Sequence, residues 1–334
     1  MAVRVLSSSE VDKAVESLSL QALMDLMARV FRALSTNATL VQCPHRASLT
    51  MPEHTALVMP GRMDGLGTAI KVVSVPTRGS GLPASILVLD EATGAVKALV
   101  NGGALTALRT AAGSALATRL LLGPSAQPTR LVAFGAGAQI RAHVRLLLEL
   151  YPSLSHCTIV NRTSNERVSS LIAHFATTHA NVQFEAMVQT DRDGVQSVVH
   201  AANILVAATS STVPLFENEW VQPRTHIILV GSYKPTMREA PDDLIRRAKC
   251  IVVDSRDACA IEAGELITAG VRPEDMIELG ELVEGSNTEA LRRRLGDVTI
   301  FKSVGIAAQD VAIACSVVEQ AEQLCLGILV DFDA

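Results

Sequence analysis

Residues 130–161 read RLVAFGAGAQIRAHVRLLLELYPSLSHCTIVN, and the order of textures in this stretch decides the fold. Leu131 to Phe134 is a short apolar run, Gly135 to Gly137 a turn, and Gln139 to Leu150 a helical pattern with Ile140, Val144, Leu147 and Leu148 on one face; Thr158 to Val160 is a second apolar run. Strand, turn, helix and strand within about 30 residues make one βαβ unit. The turn carries the chemistry. Gly135-Ala136-Gly137 directly follows the strand and leads through Ala138 and Gln139 into the helix, so that a backbone without Cβ atoms admits a pyrophosphate to free N–H groups and the positive end of the helix dipole. The third glycine of the usual fingerprint is replaced by Ile140, which leaves a plain tight turn as the rival reading.

Outward from this unit the alternation continues. Apolar runs recur at Val182–Phe184, Ile204–Ala207, His226–Val230, Ile251–Val253 and Val298–Phe301, with helical or loop stretches between them. Such alternation predicts an α/β protein with a Rossmann-type, doubly wound parallel sheet. Upstream the texture differs: a helical pattern at Leu20–Leu34 is followed by strand-like runs at Ala56–Met59, Gly67–Ser74 and Ala84–Leu89, bounded by Pro60-Gly61, Gly79–Pro83 and Gly94. These runs predict a smaller α+β domain with a mostly antiparallel sheet, closed by an alanine-rich helix at Thr106–Leu122. Gly123, Pro124, Ser125 and Pro128 mark the boundary, giving domains of residues 1–122 and 123–309. A final helical pattern from Asp310, within residues 310–334, is expected to return to the first domain.

The end of the second strand bears on which dinucleotide binds. An acidic residue there would accept hydrogen bonds from a ribose 2′-hydroxyl, whereas this chain reads Asn161-Arg162-Thr163. Arg162 can pair with a 2′-phosphate through its planar fork, with neutral hydrogen bonds from Asn161 and Thr163, so NADPH is expected over NADH. The competing view makes Arg162 a solvated loop charge.

Composition removes several classes. A net charge of −5 and 3% aromatic residues do not provide the basic stripe and stacking rings of a nucleic-acid surface. No apolar run approaches the roughly 18 residues of a membrane span, and the polar stretch from Ser7 to Lys13 is unlike a secretory signal, so a cytoplasmic location is expected. The 6 cysteines contain no C-x-x-C pair, and the histidines have no metal-motif spacing, which points to reduced thiols and no metal. A small molecule is the expected partner.

In the first domain basic residues lie in apolar surroundings: Lys71 inside Gly65–Val75 and Arg109 inside Leu105–Gly113. A charge in such a stretch costs several kcal/mol unless paired, so each implies a partner or a function. A structural ion pair or a snorkelling side chain would equally account for either one alone. Arg46, in Cys43-Pro-His-Arg46, is a third candidate.

Taken together and in order, these pieces resemble the ornithine cyclodeaminase/μ-crystallin family along nearly the whole chain. The resemblance rests on the Lys71 segment, Leu105–Ala112, Phe134–Gln139, Ala208–Thr212 with Pro214–Phe216, Val253–Ser255, Glu262–Glu265 and Phe301–Ala307. It implies a homodimer whose first domain binds substrate and forms the subunit interface, and whose second domain binds a nicotinamide cofactor. It further implies that Arg46, Lys71 and Arg109 hold a substrate α-carboxylate. Cofactor contacts are expected from Gly135, Gly137, Ala138 and Gln139, from Thr209, Ser210 and Ser211, and from Ser303, Val304 and Gly305. The cyclodeaminases carry an aspartate where this chain has Tyr233, and a tyrosine is mainly a neutral donor near pH 7. With the Asn-Arg-Thr ending, this departure implies a ketimine-reductase-like activity: NADPH-dependent reduction of carboxylate-bearing imines, with Lys71, Tyr233 or water supplying the proton. Two alternatives remain, an ornithine cyclodeaminase or alanine-dehydrogenase-like NAD enzyme, and a non-catalytic small-ligand binder of μ-crystallin type.

Overall fold

Eight strands between residues 130 and 302 form a single, wholly parallel sheet in the computed structural model, which describes residues 2–77, 81–285, 290–291 and 293–332. The chain divides into two compact units, residues 1–110 with 305–334, and residues 111–304.

The first unit contains β1 (Ala2–Leu6), α1 (Ser8–Glu16), α2 (Leu20–Thr36), β2 (Val41–Gln42), β3 (Ala47–Thr50), β4 (His54–Met63), β5 (Gly67–Pro76), β6 (Ala84–Leu89) and β7 (Val96–Asn101). α3 (Gly103–Leu122) starts in this unit and ends in the second. The sheet runs β16-β1-β7-β6-β5-β4-β2, with β3 also on β4 and β16 being Ile328–Asp331; β4 to β7 are antiparallel, as the strand runs predict. The C-terminal helix, numbered α11 here (Ala307–Gln323), belongs to this unit and contributes a nearly continuous buried surface from Ala307 to Cys315.

Pro60-Gly61 does not end a strand. β4 continues through both residues to Met63, because β3 pairs with residues 55–58 of β4 and β2 with residues 62–63, leaving the edge between them without a ladder that Pro60 would interrupt. Gly61 lies under α11, where a Cβ would stand 3.0 Å from Val311 and 3.1 Å from Ala307. The pair therefore marks a helix packed on a strand rather than a turn. The turn expected at Gly79–Pro83 begins outside the described residues.

The second unit contains β8 (Arg130–Phe134), α4 (Ala138–Leu150), β9 (His156–Asn161), α5 (Glu166–Thr178), β10 (Gln183–Val188), α6 (Arg192–Ala201), β11 (Ile204–Ala207), β12 (His226–Leu229), α7 (Asp242–Arg247), β13 (Ile251–Val253), α8 (Arg256–Glu262), α9 (Gly264–Ala269), β14 (Met276–Glu278), α10 (Leu279–Glu284) and β15 (Thr299–Lys302). Their order is β10-β9-β8-β11-β12-β15-β13-β14. Winding reverses between β8 and β11, and in sheets of this kind ligands bind beyond the carboxyl ends of the strands at that reversal. The buried runs Leu131–Phe134, Ile204–Ala207 and Ile227–Leu229 explain why these strands read as continuous apolar segments. β14 has no such signature, since its three residues follow Pro273, Glu274 and Asp275.

Candidate active site

Buried charge organises the first unit. Lys71, on β5, is 1% exposed, and its Nζ lies 2.6 Å from Asp310 Oδ2. Arg109, on α3, is 3% exposed; its Nε donates to Asp310 Oδ1 at 3.0 Å and its Nη1 to Gln309 Oε1 at 2.9 Å. The anionic partner that the apolar setting of these bases demands is thus, in part, a protein carboxylate on α11. Among the described residues it does not balance them: one carboxylate faces two cations. Arg46, half buried on the segment before β3, adds a third positive charge and donates from Nη2 to Gly305 O at 2.7 Å. Burial pushes the Lys71 ammonium down to about 8; Asp310 pulls it up again, while Arg109 and Arg46 push it further down.

Gly305 is fitted to the same cluster. Its φ is +80°, and a Cβ there would lie 2.5 Å from Arg109 Nη1 and 2.6 Å from Nη2, so no other residue lets the backbone pass so close to the guanidinium. Expected as a cofactor contact, it lies in the first unit and packs on the bases.

In the second unit the remaining candidate residues gather at the carboxyl ends of β8, β9, β11, β12 and β15. Gly135 has φ +109°, and a Cβ would meet Ala208 O at 3.1 Å, so the turn requires glycine for conformation and for space. Gly137 differs: it is the N-cap of α4, has φ −89°, offers no side-chain cap, and a Cβ there would meet nothing within 4 Å. The N–H groups in the first turn of α4 therefore have no side-chain cap, and the space beside Gly137 is open among the described residues. Ala138 is exposed at its start, and Gln139 Oε1 is buried with no hydrogen-bond partner among the described residues. A pyrophosphate accepts from such N–H groups, and a ribose hydroxyl is a donor that Gln139 can take, so these residues fit a dinucleotide.

At the end of β9, Asn161 Nδ2 donates to Thr163 O at 2.8 Å, and Asn165, the N-cap of α5, donates to Thr163. Asn161 and Thr163 thereby shape the turn, and Arg162 projects from it, exposed and without an ion pair among the described residues. After β11, Thr209 is tied to Glu239, Ser210 is exposed, and Ser211 Oγ donates to Val213 O. Tyr233, in the loop after β12, is half buried, with Lys234 Nζ 5.4 Å from its ring centroid. It belongs to the second unit and Lys71 to the first. After β15, Ser303 Oγ and Val304 N both donate to Asp254 Oδ2, at 2.7 and 3.0 Å, so their polar groups hold the strand end.

The sequence matches the description of the ornithine cyclodeaminase/mu-crystallin family over residues 5–324. The chain belongs to that family. Ketimine reductase mu-crystallin of Mus musculus is 35% identical over 231 residues, 69% of this chain and 67% of that protein. Delta(1)-pyrroline-2-carboxylate reductase of Bacillus cereus is 29% identical over 302 residues, 86% and 89% of the two chains. Among solved structures, Delta(1)-pyrroline-2-carboxylate reductase of Thermococcus litoralis, in complex with NADH and L-proline, aligns with a TM-score of 0.84 at 25% identity, covering 98% of this chain and all of that one.

Sequence reasoning missed Asp310, Gln309 and Glu239. Asp310 had a signal, being an acid within the apolar run Ala307–Ala314, the same anomaly that marks Lys71 and Arg109. Glu239 had none, lying in the polar stretch Lys234–Asp243.

Proposed function

We propose that this protein reduces the C=N bond of an imine bearing an adjacent carboxylate, a cyclic ketimine of the pyrroline- or piperideine-carboxylate kind, to the corresponding amino acid. The observation that carries this reading is the charge imbalance in the first unit: among the described residues, the buried Lys71 and Arg109 share the one carboxylate of Asp310. Buried cations in excess of their partner favour a further anion. A substrate carboxylate supplies it, with Arg46 and Arg109 as hydrogen-bond donors and Asp310 and Gln309 fixing the orientation of the Arg109 fork.

Lys71 serves a second purpose. Imine reduction needs a proton at nitrogen, and an ammonium group brought down to about 8 is still protonated near pH 7 yet gives up its proton far more readily than an ordinary lysine. We assign Lys71 Nζ as the donor, with Asp310 holding it in place. Tyr233 is assigned to the second unit's ligand site without a proton-transfer step.

The second unit binds a nicotinamide dinucleotide through the Gly135–Gln139 turn, the Thr209–Ser211 loop and the end of β9. When bound, the dinucleotide supplies the hydride that reaches the imine carbon. The finer preference is for NADPH, supported by Arg162 standing exposed at the end of β9 with no carboxylate at Asn161 or Thr163. Oxidation of NADPH and NADH should be followed with Δ1-pyrroline-2-carboxylate, Δ1-piperideine-2-carboxylate, a cyclic imine lacking the carboxylate, and ornithine. Turnover of the imino acids with NADPH, and little with the imine lacking a carboxylate, is the expected result. Ammonia release from ornithine without imine turnover would overturn it.

A further inference from the structure

Beneath the loops that follow β11, β12, β13 and β15 lies a set of charged side chains that the reaction above does not use. Glu239 is 0% exposed and spends both carboxylate oxygens on two of these loops. Oε1 accepts from Thr209 N at 2.6 Å and from Thr209 Oγ1 at 2.8 Å, and Oε2 accepts from Gly231 N at 2.6 Å. The backbone of residues 238–239 joins the first of these loops as well, since Leu215 N donates to Glu239 O at 2.9 Å and Arg238 N to Ser211 O at 2.9 Å. The approach is so close that a Cβ at residue 231 would fall 2.1 Å from Thr209 O and 2.5 Å from Glu239 Oε1. A second tier continues outward: Lys302 Nζ, at the end of β15, donates to Ser232 O and Oγ at 2.7 Å each and pairs with Glu265 Oε1 at 3.0 Å, and Ser232 Oγ donates to Glu265. Asp254, just past β13, holds Ser303 and Val304 as described.

We propose that Glu239 is a positioning residue that locks the Thr209–Ser211 loop to the Gly231–Tyr233 loop, and that the dinucleotide site has its binding shape only while this lock is closed. The inference rests on the assignment of these loops to the dinucleotide. Every group that meets the Glu239 carboxylate is a donor, and two of the three are backbone N–H groups that cannot reverse their role. A proton on Oε1 would face Thr209 N–H, and a proton on Oε2 would face Gly231 N–H. Thr209 Oγ1 can turn to accept a proton on Oε1, but a protonated oxygen is a poor acceptor for the backbone N–H it faces, so protonation weakens one backbone tie and loosens one loop. The charged groups facing Glu239 are Lys302 from β15 and Glu265 from α9; Arg238 beside it pairs with Asp242 at 3.3 Å. Burial, with Glu265 acting in the same direction, pushes the Glu239 carboxyl up to about 7 against the opposing pull of Lys302 and the hydrogen bonds from Thr209. The lock accordingly opens within the ordinary working range of pH.

The test measures NADPH binding by calorimetry for the wild type, Glu239→Gln and Thr209→Val between about pH 6 and about pH 8.5, a range that brackets this titration. It is joined by hydrogen exchange on residues 208–215 and 230–234 in the protein without dinucleotide. Wild-type affinity should tighten across that range by several-fold and up to about tenfold, the limit for one proton, and exchange protection of both segments should rise with it. Glu239→Gln should bind about tenfold or more weakly at the alkaline end, with little pH dependence, because its amide N–H₂ opposes a donor at every pH. The ligand's own titration is common to both proteins and cancels in their ratio. Parallel pH profiles in wild type and Glu239→Gln, whatever the change in melting temperature, would overturn the inference alone. A wild type that binds neither NADPH nor NADH at any pH would overturn the assignment of the site, and the inference with it. If Glu239→Gln does not fold, Thr209→Val decides: losing one donor should move the midpoint to higher pH, and an unmoved midpoint would overturn the proposal.

Discussion

Changing Asp310 to Asn removes the one negative charge shared by Lys71 and Arg109 while preserving its shape. At an effective dielectric of about 20, a unit charge 2.6 Å from Lys71 Nζ is worth about 6 kcal/mol, and one 3.0 Å from Arg109 Nε about 5.5 kcal/mol. Both are ceilings, because the amide oxygen still accepts and the site relaxes. If a quarter of the first figure survives, about 1.5 kcal/mol, the Lys71 ammonium falls by about one pKa unit, from about 8 to about 7 or below. Arginine cannot shed its proton, so Lys71 takes the whole adjustment. The profile of kcat/KM against pH reports the free enzyme's groups, and if Lys71 donates the proton its alkaline limb should move down by at least that unit. Near pH 8 the variant should lose about fivefold or more in kcat/KM, approaching tenfold above about pH 9, and the ratio to wild type should recover toward pH 6. Titration of the imine is the same for both enzymes and drops out of that ratio. Stability should fall as well, toward the lower end of the roughly 3–5 kcal/mol that breaking a buried pair costs, since Lys71 can escape by deprotonating. A folded Asp310→Asn protein whose kcat/KM profile superimposes on that of the wild type would refute both the donor role of Lys71 and the dependence of its charge on Asp310.

Three further outcomes are expected. Arg162→Ala should raise the KM for NADPH about tenfold and leave that for NADH nearly unchanged, because only the former loses a partner for its 2′-phosphate; equal changes would show that Arg162 does not read that group. Gly137→Val should abolish calorimetric binding of both dinucleotides with little change in melting temperature, since φ is −89° and the added Cβ meets no protein atom within 4 Å; retained affinity would place the pyrophosphate elsewhere. Buried His143 and His226 are held neutral: His143 Nδ1 donates to Gln139 O at 2.8 Å and its Nε2 accepts from Ser114, while His226 lies between Thr118 and Thr299. Burial lowers them to about 4 and about 3, so the stability they contribute is present above the unfolded value of 6.5 and is lost as pH falls toward those values, by at most about 2.7 kcal/mol per pH unit for the pair. Melting curves that do not shift downward between about pH 6 and about pH 4.5 would contradict their burial as neutral rings.

The parallel sheet was legible because each buried strand is a short, continuous apolar run punctuated by turn residues, and a strand of that kind announces itself locally. β14 escaped because its three residues are too few to form a run, and β4 was cut short because Pro60-Gly61 reads as a turn to anything that cannot see the gap between β2 and β3 or the helix above Gly61. The buried charges of the first unit show the same limit in another form. That Lys71 and Arg109 imply a partner or a function follows from their neighbours in sequence, but which anion meets them depends on α11, separated from them by more than 190 residues, folding back onto β5 so that one carboxylate reaches both. A charge in an apolar stretch is therefore a local signal whose partner is non-local, and reading it for bases alone left half of the pair unseen. Applied to acids, the same rule selects Asp310 in Ala307–Ala314, and it would have predicted in advance that two bases and one acid share a buried site. It would not have selected Glu239, whose polar surroundings in sequence hide a buried position created only when the ends of β11 and β12 come together. The carboxylate that pairs with the bases thus belongs to what sequence can offer, and the carboxylate that locks the loops belongs to what only the fold can.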